Sequence, residues 1–136
     1  MNHPCHILIL DDEPIVGERL KALLTKDGYE VESFVNPMNA LQRLDEKHFD
    51  IVVSDIRMRD MDGIQVMNAV LQKSKQIKVI LITGYATLEL ARESLTKGAY
   101  DFIAKPFKSR EIRSTIQKAV EALKQNQQHA SATANA

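Results

Sequence analysis

Five short apolar runs, rich in Ile, Val and Leu, alternate along the chain with segments of helical spacing. Few folds accept that pattern. Strand–helix alternation demands a parallel sheet joined by right-handed crossovers, with helices on both faces. The first run, His6-Ile-Leu-Ile-Leu10, is continuously apolar rather than alternating, so it reads as a strand buried on both sides. Ile15 to Lys26 follows with Val16, Leu20, Leu23 and Leu24 on one helical face, and Gly28 ends it. Glu30 to Phe34 alternates like an edge strand. Asn36-Pro37 then starts a helix with a capping side chain and a proline in the first turn, and Leu41 and Leu44 point inward.

The pattern continues through Ile51–Asp55 (strand), Gly63–Lys73 (helix), Val79–Thr83 (strand) and a helix capped by Thr87 and closed by Gly98. A short last strand, Phe102–Ala104, precedes the clearest amphipathic helix, Ser109–Lys124, with Ile112, Ile116, Ala119, Val120 and Leu123 on one stripe. Residues 5–124 therefore read as one domain. Residues 125–136 carry no periodicity and read as a disordered tail or a linker cut short.

The 136 residues are enough to bury a core without covalent staples. The single cysteine, Cys5, cannot form an internal disulfide, which fits a reducing cytoplasm. No signal peptide begins the chain, and the longest apolar runs are far too short for a bilayer, so a cytoplasmic protein without membrane contact is expected. Lys plus Arg and Asp plus Glu are 18 each, so no basic excess points to nucleic acid.

Polar residues stand at the ends of four apolar strands. Asp11 and Asp12 follow the first, Asp55 ends the third, Thr83 ends the fourth and Lys105 follows the fifth. Each has an ordinary explanation alone: an acidic helix start, a loop aspartate, a turn cap, a surface lysine. Together they converge, because an open parallel sheet forms its site outside the carboxyl ends of its strands. Three crowded carboxylates repel one another unless protonated or joined by a cation. Oxygen-only ligands select a hard ion such as Mg²⁺. Such an ion neutralises an incoming phosphate and leaves Asp55 free to attack phosphorus, while Lys105 and Thr83 hold the phosphoryl oxygens.

Asp11-Asp12-Glu13, Ser54-Asp55, Met61-Asp62-Gly63, Thr83-Gly84 and Lys105-Pro106-Phe107 resemble the receiver domain of two-component response regulators. Thr83-Gly-Tyr-Ala and the stretch Gly98 to Phe107 look like receivers attached to NtrC-type transcription activators. The resemblance implies a flavodoxin-like fold with strand order 2-1-3-4-5. It implies a sensor histidine kinase that donates phosphate to Asp55, and Mg²⁺ held by Asp11, Asp12, Asp55 and the Arg57 carbonyl. It implies a switch pair, Thr83 and Phe102, and control of an output domain or downstream protein, with homodimers as a further expectation. Arg59 departs from the proline that family members commonly carry after the position of Met58. The domain is expected to catalyse only its own phosphorylation and slow dephosphorylation.

Two rivals share parts of this pattern. A haloacid-dehalogenase-type phosphatase also uses an aspartyl phosphate, but it needs a second Asp where this chain has Arg57. A nucleotide-binding module wants a Gly-rich loop after the first strand, where Asp-Asp-Glu-Pro stands instead. Three further expectations follow. The Lys105–Pro106 bond is cis, so that the lysine turns back over the strand ends. The phosphorylated state is read on the face of the fourth helix, fifth strand and fifth helix. Arg57 and Tyr85, each two residues past a site residue, shield the phosphate and lengthen its life. His3, His6, His48 and His129 show no metal-ligand spacing.

Overall fold

A computed structural model describes residues 4–135, and side chains through Gln125. His3 and the His129 side chain lie outside that range.

The order is β1 (His6–Leu10), α1 (Pro14–Lys26), β2 (Glu30–Phe34), α2 (Pro37–Glu46), β3 (Ile51–Asp55), α3 (Gly63–Lys73), β4 (Lys78–Thr83), α4 (Leu88–Thr96), β5 (Asp101–Ala104) and α5 (Ser109–Asn135). The five strands form one parallel sheet in the order β2-β1-β3-β4-β5. β1 and β3 sit in the middle, and almost all their residues are buried, as their unbroken apolar runs require.

Strand alternation builds two cores, one on each face of the sheet. Leu8, Val52, Val79 and Leu81 pack with Ala40 of α2, with Met67 and Val70 of α3, and with the partly buried Leu90 of α4. Ile9, Val53, Ile80 and Ile82 pack with Leu20 and Leu24 of α1 and with Ile112, Ile116 and Ala119 of α5. Helices cover both faces, so the only place where strand-end polar groups meet solvent together is the sheet edge.

The helix ends obey their local chemistry. The Asn36 side chain accepts from the Met38 N–H, Thr87 accepts from the Leu90 N–H, and Asp62 and Gln65 form a reciprocal capping box at the start of α3. Gly28 and Gly98 take positive φ just beyond α1 and α4, where a side chain would be strained.

Four boundaries differ from the sequence reading, the first being α1, which opens at Pro14 rather than Ile15. Lys78 and Asp101 join their strands, paired in register with Ile51 and Ile80. Helical backbone continues past Lys124 to Asn135, through the stretch assigned to a disordered tail. That stretch is rich in Gln and Ala and contains neither Gly nor Pro, so nothing in it breaks a helix already begun.

Candidate functional site

Asp11, Asp55, Thr83 and Lys105 sit at the carboxyl edge of the sheet because their strands end there. Asp11 follows β1, and its backbone N–H donates to the Phe34 carbonyl of β2. Asp55 closes β3, Thr83 closes β4, and Lys105 follows β5 with its N–H on the Thr83 carbonyl. The Lys105–Pro106 bond is cis, as expected.

Asp11, Asp12 and Asp55 come together, each offering a carboxylate oxygen within 4.8 Å of the others. Asp11 is fully buried and Asp55 is only 4% exposed. Asp11 is doubly engaged: Oδ1 accepts the Glu13 N–H at 2.9 Å and Oδ2 accepts Lys105 Nζ at 2.9 Å. Lys105 Nζ also donates to Asp55 Oδ2 at 3.3 Å. One ammonium thus bridges two buried carboxylates, with the more exposed Glu13 carboxylate 3.8 Å away.

The electrostatics follow from burial. Desolvation and then the charge of Asp11 raise the Asp55 carboxyl above the usual carboxylate range, and Lys105 offsets this only in part. Burial works against the Lys105 charge, but the hydrogen bond and charge of Asp11, followed by Asp55, outweigh it, so its pKa is raised. The cluster holds more negative charge than one lysine neutralises. Oxygen donors at this spacing fit a hard divalent cation. Three of the four groups expected from sequence, the Asp11, Asp12 and Asp55 carboxylates, are brought together.

Thr83 is fully buried, and its Oγ1 accepts the Tyr85 N–H at 3.1 Å. Phe102 is partly buried against the core under α4. Thr83 pairs with Ala104 and Leu81 with Phe102 in the β4–β5 ladder, so Thr83 and Phe102 share one face of the sheet, two residues apart in register. The Arg57 backbone N–H reaches the Asp55 carboxylate. Its guanidinium lies outside, 4.0 Å from the centroid of the Tyr85 ring.

Two relationships escape sequence reasoning. Glu13, read only as part of an acidic motif, approaches Lys105 through space. Gly63 presses α3 onto the site, since an added Cβ would stand 2.4 Å from the Asp55 carbonyl oxygen. Its place directly after the acidic loop Met58–Asp62 gives no local sign of that contact. Away from the site, Cys5 is a packing residue. Burial, then the charge of Asp50 and its hydrogen bond, push the thiol up to about 12. Among the described residues no helix is long and apolar enough to cross a membrane.

Comparison with known proteins agrees with this geometry. A model of the response regulator receiver domain matches residues 7–117. The regulatory protein AtoC of Escherichia coli K12 is 37% identical over 115 residues, covering 85% of this chain and 25% of that protein. The transcriptional regulatory protein ZraR of Klebsiella oxytoca is 36% identical over 114 residues, covering 84% of this chain and 26% of its own length. The chain therefore spans about a quarter of the length of these curated relatives. Among solved structures, a CheY-like receiver domain protein from Methanospirillum hungatei JF-1 superposes with TM-score 0.87 at 29% identity, over 91% of this chain and 99% of that one. The beryllofluoride-activated NtrC4 receiver domain dimer gives TM-score 0.83 at 31% identity, over 87% and 98%. With a receiver-domain match that covers residues 7–117, most of the chain, the chain belongs to the response regulator receiver domain family.

Proposed function

We propose that this domain accepts a phosphoryl group on Asp55 from a sensor histidine kinase and passes the event on as a change of surface. The carrying observation is the cluster of Asp11, Asp12 and Asp55 within 4.8 Å, spanned by Lys105. In the reaction an Asp55 oxygen bonds to phosphorus as the bond from phosphorus to the donor imidazole nitrogen breaks, and the electron pair leaves with that nitrogen. Asp11, Asp12, Asp55 and the Arg57 carbonyl are the residues to hold Mg²⁺, which when bound neutralises phosphoryl charge as a Lewis acid. Lys105, already 3.3 Å from Asp55, would hold one oxygen of the new phosphoryl group, and the Thr83 hydroxyl would donate to another. The domain turns over no outside substrate; its chemistry is its own phosphorylation and slow hydrolysis.

AtoC and ZraR are regulatory proteins about four times as long as the matched segment, which supports an output in transcription control through another domain or protein. The dimeric NtrC4 receiver supports a homodimer as the signalling form. The test is labelling by a small acyl-phosphate donor with and without Mg²⁺. The parent is expected to label only with the metal, and Asp55→Asn not at all. Equal labelling of the two proteins would overturn the assignment.

A further inference from the structure

One flank of α1 and the loop between β5 and α5 border a groove of about 890 Å³. Leu20 and Leu23 of α1 and Pro106 and Phe107 of the loop give it an apolar lining. Its charged lining is of one sign: Arg19, Lys26, Lys105 and Arg113 border it, and no aspartate or glutamate does. The chain as a whole shows no such bias, with 18 basic and 18 acidic residues. Two of the four cations are already engaged. Lys105 is held by Asp11, and Arg113 Nε contacts Asp27 Oδ2 at 2.9 Å. Arg19 and Lys26 are exposed and form no ion pair among the described residues.

Exposed cations on a surface helix are ordinary by themselves. An apolar trough between them, with no acid on either wall, is the arrangement that recognises an amphipathic anion. The volume falls inside the range of about 300–1,000 Å³ common for small-molecule sites, which pair an apolar lining with a few oriented polar groups. We propose that this groove binds a small organic anion: a single carboxylate, phosphate or sulfonate head on an apolar body. The body covers the partly exposed Leu23 and Phe107. The head takes charge-assisted hydrogen bonds from Arg19 and Lys26, groups that lose nothing internal by turning to it. The groove also touches the phosphoacceptor edge, because the stem of Lys105 belongs to both. Occupancy and the state of the carboxylate cluster are therefore linked, and any such coupling acts equally in both directions. The binding itself does not depend on the phosphorylation reading.

The experiment titrates the isotope-labelled full chain with octanoate and follows amide shifts, with 1-octanol as the uncharged control. Octanoate is expected to saturate shifts confined to residues 16–26 and 105–113. Octanol should bind about ten-fold more weakly or worse, and an Arg19→Glu/Lys26→Glu double variant should lose at least about ten-fold in octanoate affinity with an unchanged melting curve. Equal binding of octanol and octanoate would reduce the groove to a bare apolar seam and overturn the proposal. So would shifts scattered over the surface. Groove amides that move only with an acidic amphipathic helical peptide, and not with octanoate, would assign the surface to a protein partner instead.

Discussion

The guanidinium of Arg57 stacks on the ring of Tyr85, 4.0 Å from its centroid. The two side chains come from different loops, after β3 and after β4, each two residues beyond a site residue. Their contact therefore bridges the edge that holds Asp55. An exposed cation–π pair contributes about 0.5–1 kcal/mol, enough to favour the closed arrangement without locking it.

We expect a stacked pair at this position to obstruct the water that hydrolyses an aspartyl phosphate, since neither group can orient that water as a carboxylate or amide would. Replacing Arg57 with Asn and Tyr85 with Glu removes the stack and installs groups that can. The double variant is expected to lose phosphate about ten-fold faster than the parent after the donor is removed, a modest share of what a positioned base supplies. Decay no faster than in the parent would show that these positions do not set the lifetime.

The raised pKa of Asp55 has a stability consequence of definite sign. Its causes are burial first and the Asp11 charge second, with Lys105 opposing. A raised acid binds its proton more tightly in the folded state than in the unfolded one. Stability therefore falls as pH climbs from the ordinary carboxylate value through the folded value, and the deficit is complete above it. Asparagine cannot ionise, and Lys105 keeps its 2.9 Å contact with Asp11. In chelator at neutral pH, Asp55→Asn should gain on the order of 1 kcal/mol, or about 4 °C in Tm. The advantage should vanish below the usual carboxylate range. A lower Tm than the parent at neutral pH would mean that the carboxylate is a net stabiliser.

Much of this architecture is legible in the sequence because period and burial speak together. β1, β2, β3 and α3 are readable to the residue, since their apolar runs end on glycine, aspartate or a capping side chain. Lys78 and Asp101 are not, because a charged residue can open a strand while its side chain stays at the margin; Lys78 lies 5.5 Å from the centroid of the Tyr100 ring. The convergence of Asp11, Asp55 and Lys105 is legible from topology alone. The closeness of Glu13 to Lys105, the Arg57–Tyr85 stack and the crowding at Gly63 are not. Each joins segments whose separation depends on loop paths, and loop paths leave no periodic trace.

Gly63 offers the most direct packing test. An added Cβ would stand 2.4 Å from the Asp55 carbonyl oxygen and 2.7 Å from Ile56 Cα, and both are backbone atoms that cannot swing away. Gly63→Ala should cost about 1–3 kcal/mol and displace the end of β3, lowering both Tm and the rate of metal-dependent labelling. Gly84→Ala is the control, because nothing stands within 4 Å of its added Cβ. Equal melting curves for the two variants would show that the close approach at Gly63 is not a constraint.

The last prediction concerns the path from phosphate to surface. Thr83 is buried, with Oγ1 accepting the Tyr85 N–H at 3.1 Å. If the hydroxyl turns to donate to a phosphoryl oxygen, that bond is disturbed and the loop leading into α4 is freed to move. Phe102 lies on the same sheet face, opposite Leu81 in register and packed against the core under α4. Its ring can fill the volume that the threonine vacates. Two packings of one pair make a discrete two-state element, so a local charge is converted into a rearranged surface rather than a smooth strain. Adding beryllofluoride with Mg²⁺ should move amides mainly in residues 83–98 and 101–113. In Thr83→Ala, shifts beside Asp55 should persist while those at Phe102 and along α4 disappear, because the mimic still binds but no hydroxyl reports it. Shifts confined to α1 and α2, or an undiminished response at Phe102 in the variant, would refute this coupling.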